Sequence, residues 1–300
     1  MSRLISAACR TAAAIGAAAL VLGAQTGMAQ AAAAEDRFAG VEVVAHPVGD
    51  HVYMLTGAGG NIGVSVGSDG TLIVDDQFAP LAERIVNALG GIDGDAPKVV
   101  LNTHFHGDHT GANPVFGETG TIVAHDNVRL RLLDEEGFPS RGLPVLTFTE
   151  RVRVHFNDDT LEVIHMPAGH TDGDSVVWFQ RANVLHTGDL LFNGGFPFID
   201  LASGGSVAGV IVNLTQLLEM LPDDVRIIPG HGPLADKDDI RETLTMIRDT
   251  RATVMEALGS GMSADEVVAQ GLDERWAPWG EGFMDEERWI RILAASPNAP

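Results

Sequence analysis

The feature that most constrains this 300-residue chain is a group of histidines and an aspartate directly after a short apolar run. The run is V-V-L-N at residues 99–102, and T-H-F-H-G-D-H-T follows at residues 103–110. Short apolar, β-branched runs are typical of buried strands, so the group is expected where a strand leaves a sheet. His104 and His106 stand two apart in near-extended backbone and therefore point to the same side. This is a metal-ligand spacing.

The same group of side chains offers ligands to two metal ions. His104 and His106 are placed to hold one ion, and a turn that Gly107 permits is expected to bring Asp108 and His109 toward a second. Imidazole and carboxylate groups suit zinc, which is a borderline-soft cation. The sequence therefore predicts zinc as the cofactor.

Three later residues are expected to complete the site. His170 lies in M-P-A-G-H-T-D-G-D, Asp189 in L-H-T-G-D-L-L-F, and His231 in I-I-P-G-H-G-P. Each follows an apolar, strand-like run and stands beside a glycine, which lets the backbone turn tightly at the sheet edge. A single histidine is usually a core or surface residue, and it is the four motifs in order that indicate a metal site.

The other histidines receive structural roles or none. His165 and His186 each stand in an apolar strand just before a motif, so we expect them to line or support the site rather than to bind metal. No role is predicted for the remaining four, which are His46, His51, His125 and His155.

The order H-x-H-x-D-H, G-H-T, G-D and G-H-G resembles the metallo-β-lactamase superfamily over roughly residues 43–231. The resemblance implies an α/β fold, a single-domain, four-layer αββα sandwich that carries two zinc ions at one edge. It also implies which ion each ligand binds. The first ion would be bound by His104, His106 and His170, and the second by Asp108, His109 and His231. Asp189 would bind both.

The resemblance further implies hydrolysis of a small-molecule substrate. A hydroxide held between the two ions would attack a carbonyl group, and Asp108 would carry a proton to the leaving group. Opening of a β-lactam ring is the first expectation. Hydrolysis of a lactone or a thioester, as in glyoxalase II, is the alternative, and a non-catalytic periplasmic metal-binding protein is the third possibility.

Two residues depart from the best-known zinc β-lactamases. Asp189 replaces their cysteine ligand, and Phe192 stands where many of them carry a lysine that anchors the substrate carboxylate. Arg141, Ser203 or Ser206 are the alternatives for that anchor. The substrate class therefore stays open at the level of sequence.

The N-terminal segment indicates export. Arg3 and Arg10 precede an alanine-rich stretch at residues 11–24, and small residues follow it. This pattern is typical of a secretory signal peptide, here residues 1–31, and it predicts a periplasmic or secreted protein without a stable membrane anchor. Cys9 is the only cysteine, so cleavage would leave neither a disulfide nor a thiolate ligand.

Composition limits the partners and the number of domains. The formal net charge of −22 leaves no basic face for a phosphate backbone, so nucleic acid is disfavoured as a partner. Residues 32–300 are within the range of one large catalytic domain, with residues 236–300 as a helical part packed on it. Tryptophans at 276, 279 and 289 are expected to pack that part on the core, with pocket lining or partner contact as the alternative. The sequence does not indicate an oligomeric state.

Apolar periodicity predicts the order of the elements. The first three predicted strands suit an antiparallel meander, and the chain is expected to be irregular through Phe138, Pro139 and Pro144. Strands are predicted at residues 51–56, 61–66, 71–76, 99–102, 121–124, 151–155, 161–165 and 175–179. Helices are predicted at residues 80–90, 126–134 and 207–221 and from residue 236 onward.

Overall fold

The structure is a computed structural model that describes residues 37–296, so the predicted signal peptide lies outside the described residues. The chain divides into a short N-terminal unit that ends at Val41 and a main unit from Glu42 onward. The main unit contains every element discussed below.

Seven strands form the first sheet, and they lie side by side in chain order. The first four pair antiparallel, which confirms the predicted meander, and the last four pair parallel. The strands are β1 Val44–Gly49, β2 Val52–Thr56, β3 Ile62–Gly67, β4 Gly70–Val74, β5 Val99–Leu101, β6 Thr121–His125 and β7 Leu146–Phe148.

Five strands form the second sheet, in the order β12-β11-β10-β9-β8. Neighbours pair antiparallel except for the last two in the chain, which are parallel. The strands are β8 Arg151–Phe156, β9 Asp159–His165, β10 Ser175–Phe179, β11 Val184–His186 and β12 Arg226–Ile228.

An apolar core lies between the two sheets. Alternate strand residues face it, as the two-residue period of a strand requires. Its buried members from the first sheet include Val52, Leu72, Val74, Leu101 and Val123, and those from the second include Leu161, Val163, Val177, Phe179 and Ile228.

Helices cover the outer faces. Helix α4 packs on Ala124 of β6, and the last four helices form a second core with the outer face of β9 to β12. The helices are α1 Ala82–Gly90, α2 Gly107–Thr110, α3 Asn113–Phe116, α4 Asp126–Asp134, α5 Val207–Met220, α6 Lys237–Gly259, α7 Ala264–Gln270 and α8 Glu286–Ala295. This layering confirms the predicted αββα sandwich. No helix among residues 37–296 is both long and apolar enough to cross a bilayer.

The C-terminal tryptophans pack in the core, as expected. Trp289 is fully buried, stacks on Phe196 with ring centroids 5.8 Å apart, and donates its indole N–H to Thr250 Oγ1 at 3.0 Å. Trp276 and Trp279 are each 7% exposed and belong to the same core. Truncating a buried tryptophan lowers the free energy of unfolding by on the order of 3–5 kcal/mol, so Trp289 contributes strongly to the packing of α8 on the rest of the unit.

The sequence analysis missed two strands of the first sheet, β1 and β7. β7 spans only Leu146–Phe148, inside the stretch expected to be irregular, and Leu146 is 56% exposed. A three-residue edge strand with exposed apolar side chains lacks the alternation that identifies a strand in a sequence.

Candidate metal centre

All seven side chains predicted as ligands meet at one edge of the sandwich. They stand in loops that follow the ends of β5, β9, β11 and β12. Two groups have their ligand atoms within 4.8 Å of one another, and they are His104, His106, His170 and Asp189, and Asp108, His109 and His231. The structure thus brings the predicted residues together, and their role as ligands stays a prediction.

A helical turn presents the middle of the first motif. Residues Gly107–Thr110 form α2, directly after the extended His106. Gly107 needs no unusual backbone angle, and a side chain there would meet open space. Gly107 permits the turn, as expected, but the turn does not require glycine, because an ordinary helical turn accepts any residue but proline beyond its first positions.

Asp189 lies between the two groups. Its Oδ1 is 3.1 Å from His109 Nε2, while its Oδ2 is 3.4 Å from His231 Nε2 and 3.5 Å from His170 Nε2. His104 Nε2 is also near, at 3.8 Å from Oδ2. Oδ1 thus faces the second group and Oδ2 lies near histidines of both groups, which fits the shared position that the resemblance implies for this carboxylate.

Fixed acceptors set the orientation of two histidines in the first group. His170 donates its Nδ1–H to the Phe198 carbonyl at 2.7 Å, and His106 donates its Nε2–H to Asp200 Oδ2 at 3.1 Å. The other ring nitrogen of each is left unprotonated, and these two nitrogens lie 2.8 Å apart. Such outer hydrogen bonds choose the tautomer that offers a lone pair to a metal.

A single buried carboxylate orients one histidine from each group. Asp75 Oδ2 accepts the Nδ1–H of His109 at 2.7 Å and the hydroxyl hydrogen of Thr103, also at 2.7 Å. Because the Thr103 hydroxyl is then used as a donor, its oxygen accepts the Nδ1–H of His104 at 3.0 Å. The Nε2 atoms of both histidines are therefore free to face the site.

Neither Asp75 nor Asp200 was predicted to have a role. Asp75 is the first of the two aspartates in the run T-L-I-V-D-D, and it directly follows β4, which lies beside the parallel strand β5 that leads to the first motif. An aspartate pair after a buried strand was a usable signal, because ends of parallel strands meet at one edge of a sheet. Asp200 follows no strand, and nothing in the sequence marks it.

The inner faces of these residues fit a metal. Buried His109 Nε2 and Asp189 Oδ1 lie 3.1 Å apart but are not aligned for a hydrogen bond, and an unsatisfied buried polar atom costs about 1–3 kcal/mol. His106 Nδ1 lies 3.1 Å from His104 Nε2 and 2.8 Å from His170 Nε2. None of these three nitrogens carries a hydrogen in the tautomers described above, so they cannot hydrogen-bond to one another. Imidazoles and carboxylates in this arrangement are the ligands that zinc prefers.

Burial keeps the deep histidines of the first group neutral. It is the largest cause that lowers the pKa of His170 to about 4 and the pKa of His104 well below its usual value. Neighbouring Asp189 opposes the shift in both cases. Neutral imidazole is the form that binds a metal, so this group needs no deprotonation at neutral pH.

The second group differs because carboxylates surround it. Burial alone would lower the pKa of His231, but Asp189 and Asp108 raise it to about 9. The pKa of His109 is likewise raised well above its usual value against the effect of burial, by Asp189, Asp108 and Asp75. Without metal, this group holds protons where a cation is expected to bind.

Two glycines allow the backbone to approach the candidate ligands closely. A Cβ on Gly60 would lie 2.2 Å from His109 Cε1, and one on Gly230 would lie 2.1 Å from Asp189 Oδ1. Neither distance is possible for a real side chain. The glycine-rich turn at residues 57–60 therefore forms one wall of the centre.

An aromatic ring, not a cation, covers His231. Phe192 stacks on it with ring centroids 4.9 Å apart and an interplanar angle of 12°. Two of the alternatives proposed for a carboxylate anchor are engaged elsewhere. Arg141 donates to the Pro114 carbonyl and pairs with a glutamate, while Ser206 caps α5 by accepting from Gly209 N–H.

His186 and His165 support the surrounding loops. His186 donates Nε2–H to the Asn61 carbonyl at 3.0 Å and accepts from Gly188 N–H at 3.1 Å, so both ring nitrogens are used. His165 donates Nδ1–H to the Asp174 carbonyl and stacks on His125 at 3.7 Å. Neither ring belongs to the two groups, in agreement with the supporting roles expected for them.

Comparison with known proteins identifies the family. The sequence model of the metallo-β-lactamase superfamily matches residues 55–231, more than half of the chain. The chain belongs to this superfamily. The superfamily and its relatives are hydrolases, and with the His and Asp groups this supports a metal-dependent hydrolase.

Individual relatives of this superfamily member include two bacterial enzymes. The "probable metallo-hydrolase YqgX" of Bacillus subtilis is 30% identical over 55% of this chain and 84% of its own length. A hydroxyacylglutathione hydrolase of Nitrosococcus oceani is 34% identical over 51% of this chain but only 55% of its own length. A solved metallo-β-lactamase from Pontibacter korlensis shares the fold, with a TM-score of 0.60 and 18% identity over 69% of this chain and all of that one.

Proposed function

We propose that the chain is an exported hydrolase of thioesters that works with two zinc ions. The observation that carries the proposal is the double His and Asp centre joined by Asp189, with Phe192 over His231 in place of a substrate-anchoring cation. An aromatic ring offers no charge to a carboxylate, but it suits the neutral acyl and sulfur parts of a thioester.

The positions of the lysine and arginine side chains support a substrate that has no carboxylate next to Phe192 and His231. The only two lysines are engaged away from the centre, Lys98 with the Asp69 carbonyl and Lys237 with Asp223 and the Leu221 carbonyl. Arg131, on α4, forms a bidentate pair with Asp172. A β-lactam carries a carboxylate close to the scissile ring, whereas the groups on either side of a thioester carbonyl are uncharged.

In this reaction the protein's own side chains would orient the substrate and transfer protons. Water adds to the acyl carbon as the bond to sulfur breaks, which gives a carboxylic acid and a thiol. Bound metal ions would supply a water of pKa near about 7 and a positive charge to polarise the carbonyl. A thiolate leaves readily because its conjugate pKa is about 8.5.

Asp108 is placed to carry the proton. Its side chain is 27% exposed at the open side of the centre, with Oδ2 3.3 Å from His231 Nε2. This oxygen would accept the proton that the water loses and return it to the sulfur. The N. oceani relative supports this substrate class, because hydroxyacylglutathione, which its name gives as substrate, is a thioester.

β-Lactam ring opening is the second candidate, and the predicted signal peptide favours it. An exported enzyme meets antibiotics that enter the periplasm, whereas its thioester substrates would have to come from outside the cytosolic glutathione pool. N-terminal sequencing of the protein from its own host tests export. We expect the mature chain to begin close to Ala32, and an intact Met1 in the cytosol would contradict export.

A substrate panel tests the activity. Zinc-loaded protein would be assayed with an S-acylglutathione, a homoserine lactone and nitrocefin, and Asp189→Asn would serve as the inactive control. We expect kcat/KM for the thioester to exceed that for nitrocefin at least about tenfold, and both to fall at least about a hundredfold in the variant. A larger value for nitrocefin would overturn the proposal in favour of the second candidate.

Phe192→Lys provides a sharper comparison of the two candidates. A new ammonium beside His231 would give a β-lactam carboxylate its missing partner, so KM for nitrocefin should fall while kcat stays within a few fold. The thioester carbonyl has no carboxylate beside it, so KM for S-acylglutathione should fall less. Equal improvement for both substrates would contradict the idea that Phe192 excludes carboxylate anchoring.

A further inference from the structure

Phe283 is the most exposed of the large apolar side chains in the described part of the chain, at 72%. Single exposed apolar residues are common on protein surfaces and by themselves need no explanation. Phe283 differs because of its neighbours. Its ring makes an edge contact with Phe198, at 6.2 Å between centroids and 90° between planes.

Phe198 connects this exposed ring to the metal centre. Its ring lies 5.7 Å from the ring of His170 and 5.9 Å from that of His106, and its carbonyl accepts the His170 Nδ1–H. The side chain of Phe198 is only partly buried. Phe198 and Phe283 thus form a continuous aromatic surface that leads outward from the first group.

The backbone that carries Phe283 is held firmly although its ring is exposed. The next residue, Met284, is 4% exposed, and Asp285 caps α8 by accepting from Arg288 N–H. Arg288 Nη1 also donates to the Phe283 carbonyl at 3.0 Å. The position of the ring is therefore a property of the fold and not of a loose terminus.

The segment that supplies Phe283 is tied to the loop that supplies Phe198. Phe196 N–H donates to the Trp279 carbonyl at 2.9 Å, and the Phe196 ring stacks on Trp289. Phe283 lies beyond residue 231, where the match to the superfamily ends. The C-terminal part of this chain thus adds a ring to an edge that the superfamily core builds.

We propose that Phe198 and Phe283 form an apolar subsite for the acyl chain of the substrate and that Phe283 sets the preference for long acyl chains. The inference rests on the proposed thioester hydrolysis for its substrate class. Arg288 lies with its guanidinium 5.8 Å from the centre of the Phe283 ring, and its charge is offset by Asp285 at 3.9 Å and by its bond to the Phe283 carbonyl, so it attracts an anionic group less than an unpaired cation would. A neutral hydrocarbon chain would instead cover the exposed ring and gain from burial.

The first test compares S-acetylglutathione with S-octanoylglutathione. Wild type should favour the octanoyl ester in kcat/KM by about tenfold or more, as expected when about 50 Å² of extra apolar surface is buried. Phe283→Ala should remove most of that preference while kcat/KM for the acetyl ester stays within about twofold, and Phe283→Leu should lie between. Val145→Ala, which truncates another exposed apolar side chain at 68%, is the matched control and should change neither value.

The second test measures binding without chemistry. Calorimetry with the inert thioethers S-octylglutathione and S-ethylglutathione should show tighter binding of the octyl compound, and Phe283→Ala should abolish the difference. Circular dichroism would check that the variant is folded. Equal effects on short and long chains, or no chain-length preference in wild type, would overturn the subsite. Octyl-selective binding without thioester turnover would keep the subsite and overturn the proposed function.

Discussion

Asp75 and His109 are joined by a 2.7 Å hydrogen bond between two fully buried side chains that are 34 residues apart. The same carboxylate oxygen accepts from Thr103, which in turn orients His104. One buried anion therefore sets the ring orientation of a histidine in each of the two groups. Its loss should disturb both metal positions together.

Asp75→Asn should weaken metal binding by about 10–100-fold, the usual effect of losing an outer hydrogen-bond partner of a metal ligand. Asp75 Oδ1 also accepts the Thr103 backbone N–H at 2.7 Å, and asparagine has one acceptor oxygen in place of two, so it cannot satisfy all three donors. Competition with a chromophoric chelator would measure the affinity. Asp223→Asn, at a 96% exposed side chain paired with Lys237, is the control. Unchanged affinity in Asp75→Asn would contradict the orienting role.

Gly60→Ala should damage the centre, while Gly107→Ala should not, although only the second lies inside the histidine motif. The new methyl at Gly60 would overlap the His109 ring, and the one at Gly107 would meet nothing within 4 Å. We expect loss of bound zinc and a destabilisation of about 1–3 kcal/mol for Gly60→Ala. Thermal unfolding and elemental analysis check both variants. Equal behaviour of the two would show that contact with His109 is unimportant.

The protein should bind two equivalents of zinc, and single-ligand variants should lose them unequally. His104→Ala removes one imidazole from the first group, so it should keep metal mainly in the second, and His231→Ala should do the reverse. Elemental analysis of the purified proteins gives the stoichiometry. His155→Ala, an exposed histidine bonded to Thr160, should retain both ions. Saturation of wild type at one zinc or at iron would refute the dinuclear assignment.

Zinc binding at pH 7 should release protons, and its affinity should rise toward pH 9. The pKa of His231 is about 9, so its ring is protonated at pH 7 without metal, and the pKa of His109 is raised in the same direction by Asp189, Asp108 and Asp75. Because a ligand must lose its proton before it binds, lower pH favours the competing proton. Calorimetry in buffers of different ionisation enthalpy counts the protons released. Absence of release at pH 7 would mean that the second group is already neutral.

The sequence predicts much of the metal centre because each candidate ligand follows a strand directly. His104, His170, Asp189 and His231 need only the topology of the sheets to meet, and glycine positions mark the close approaches at Gly60 and Gly230. Helix α4 is also predicted to the residue, since its start after His125 and its periodicity are local properties.

The features that the sequence does not predict depend on contacts between residues that are far apart in the sequence. Asp75 matters only because β4 lies parallel to β5, and Phe283 matters only because Phe196 and Trp279 bring two distant segments together. β7 is three residues long and stabilised by its partner strand rather than by its own pattern. Export and the domain boundaries remain predictions from the N-terminal pattern and from length.

The candidate ligands are divided between the two sheets. Four of them follow β5 of the first sheet, and three follow strands of the second. Metal ions bound by both sets would act as cross-links that close a loop from His104 to His231, as a disulfide does between two cysteines. Since Cys9 is the only cysteine, this chain cannot form a disulfide within itself, and bound ions are the cross-links that its side chains offer. A chain halted before His231 would carry six of the seven candidate ligands and the whole first group, so only the second group has to wait for the segment after β12.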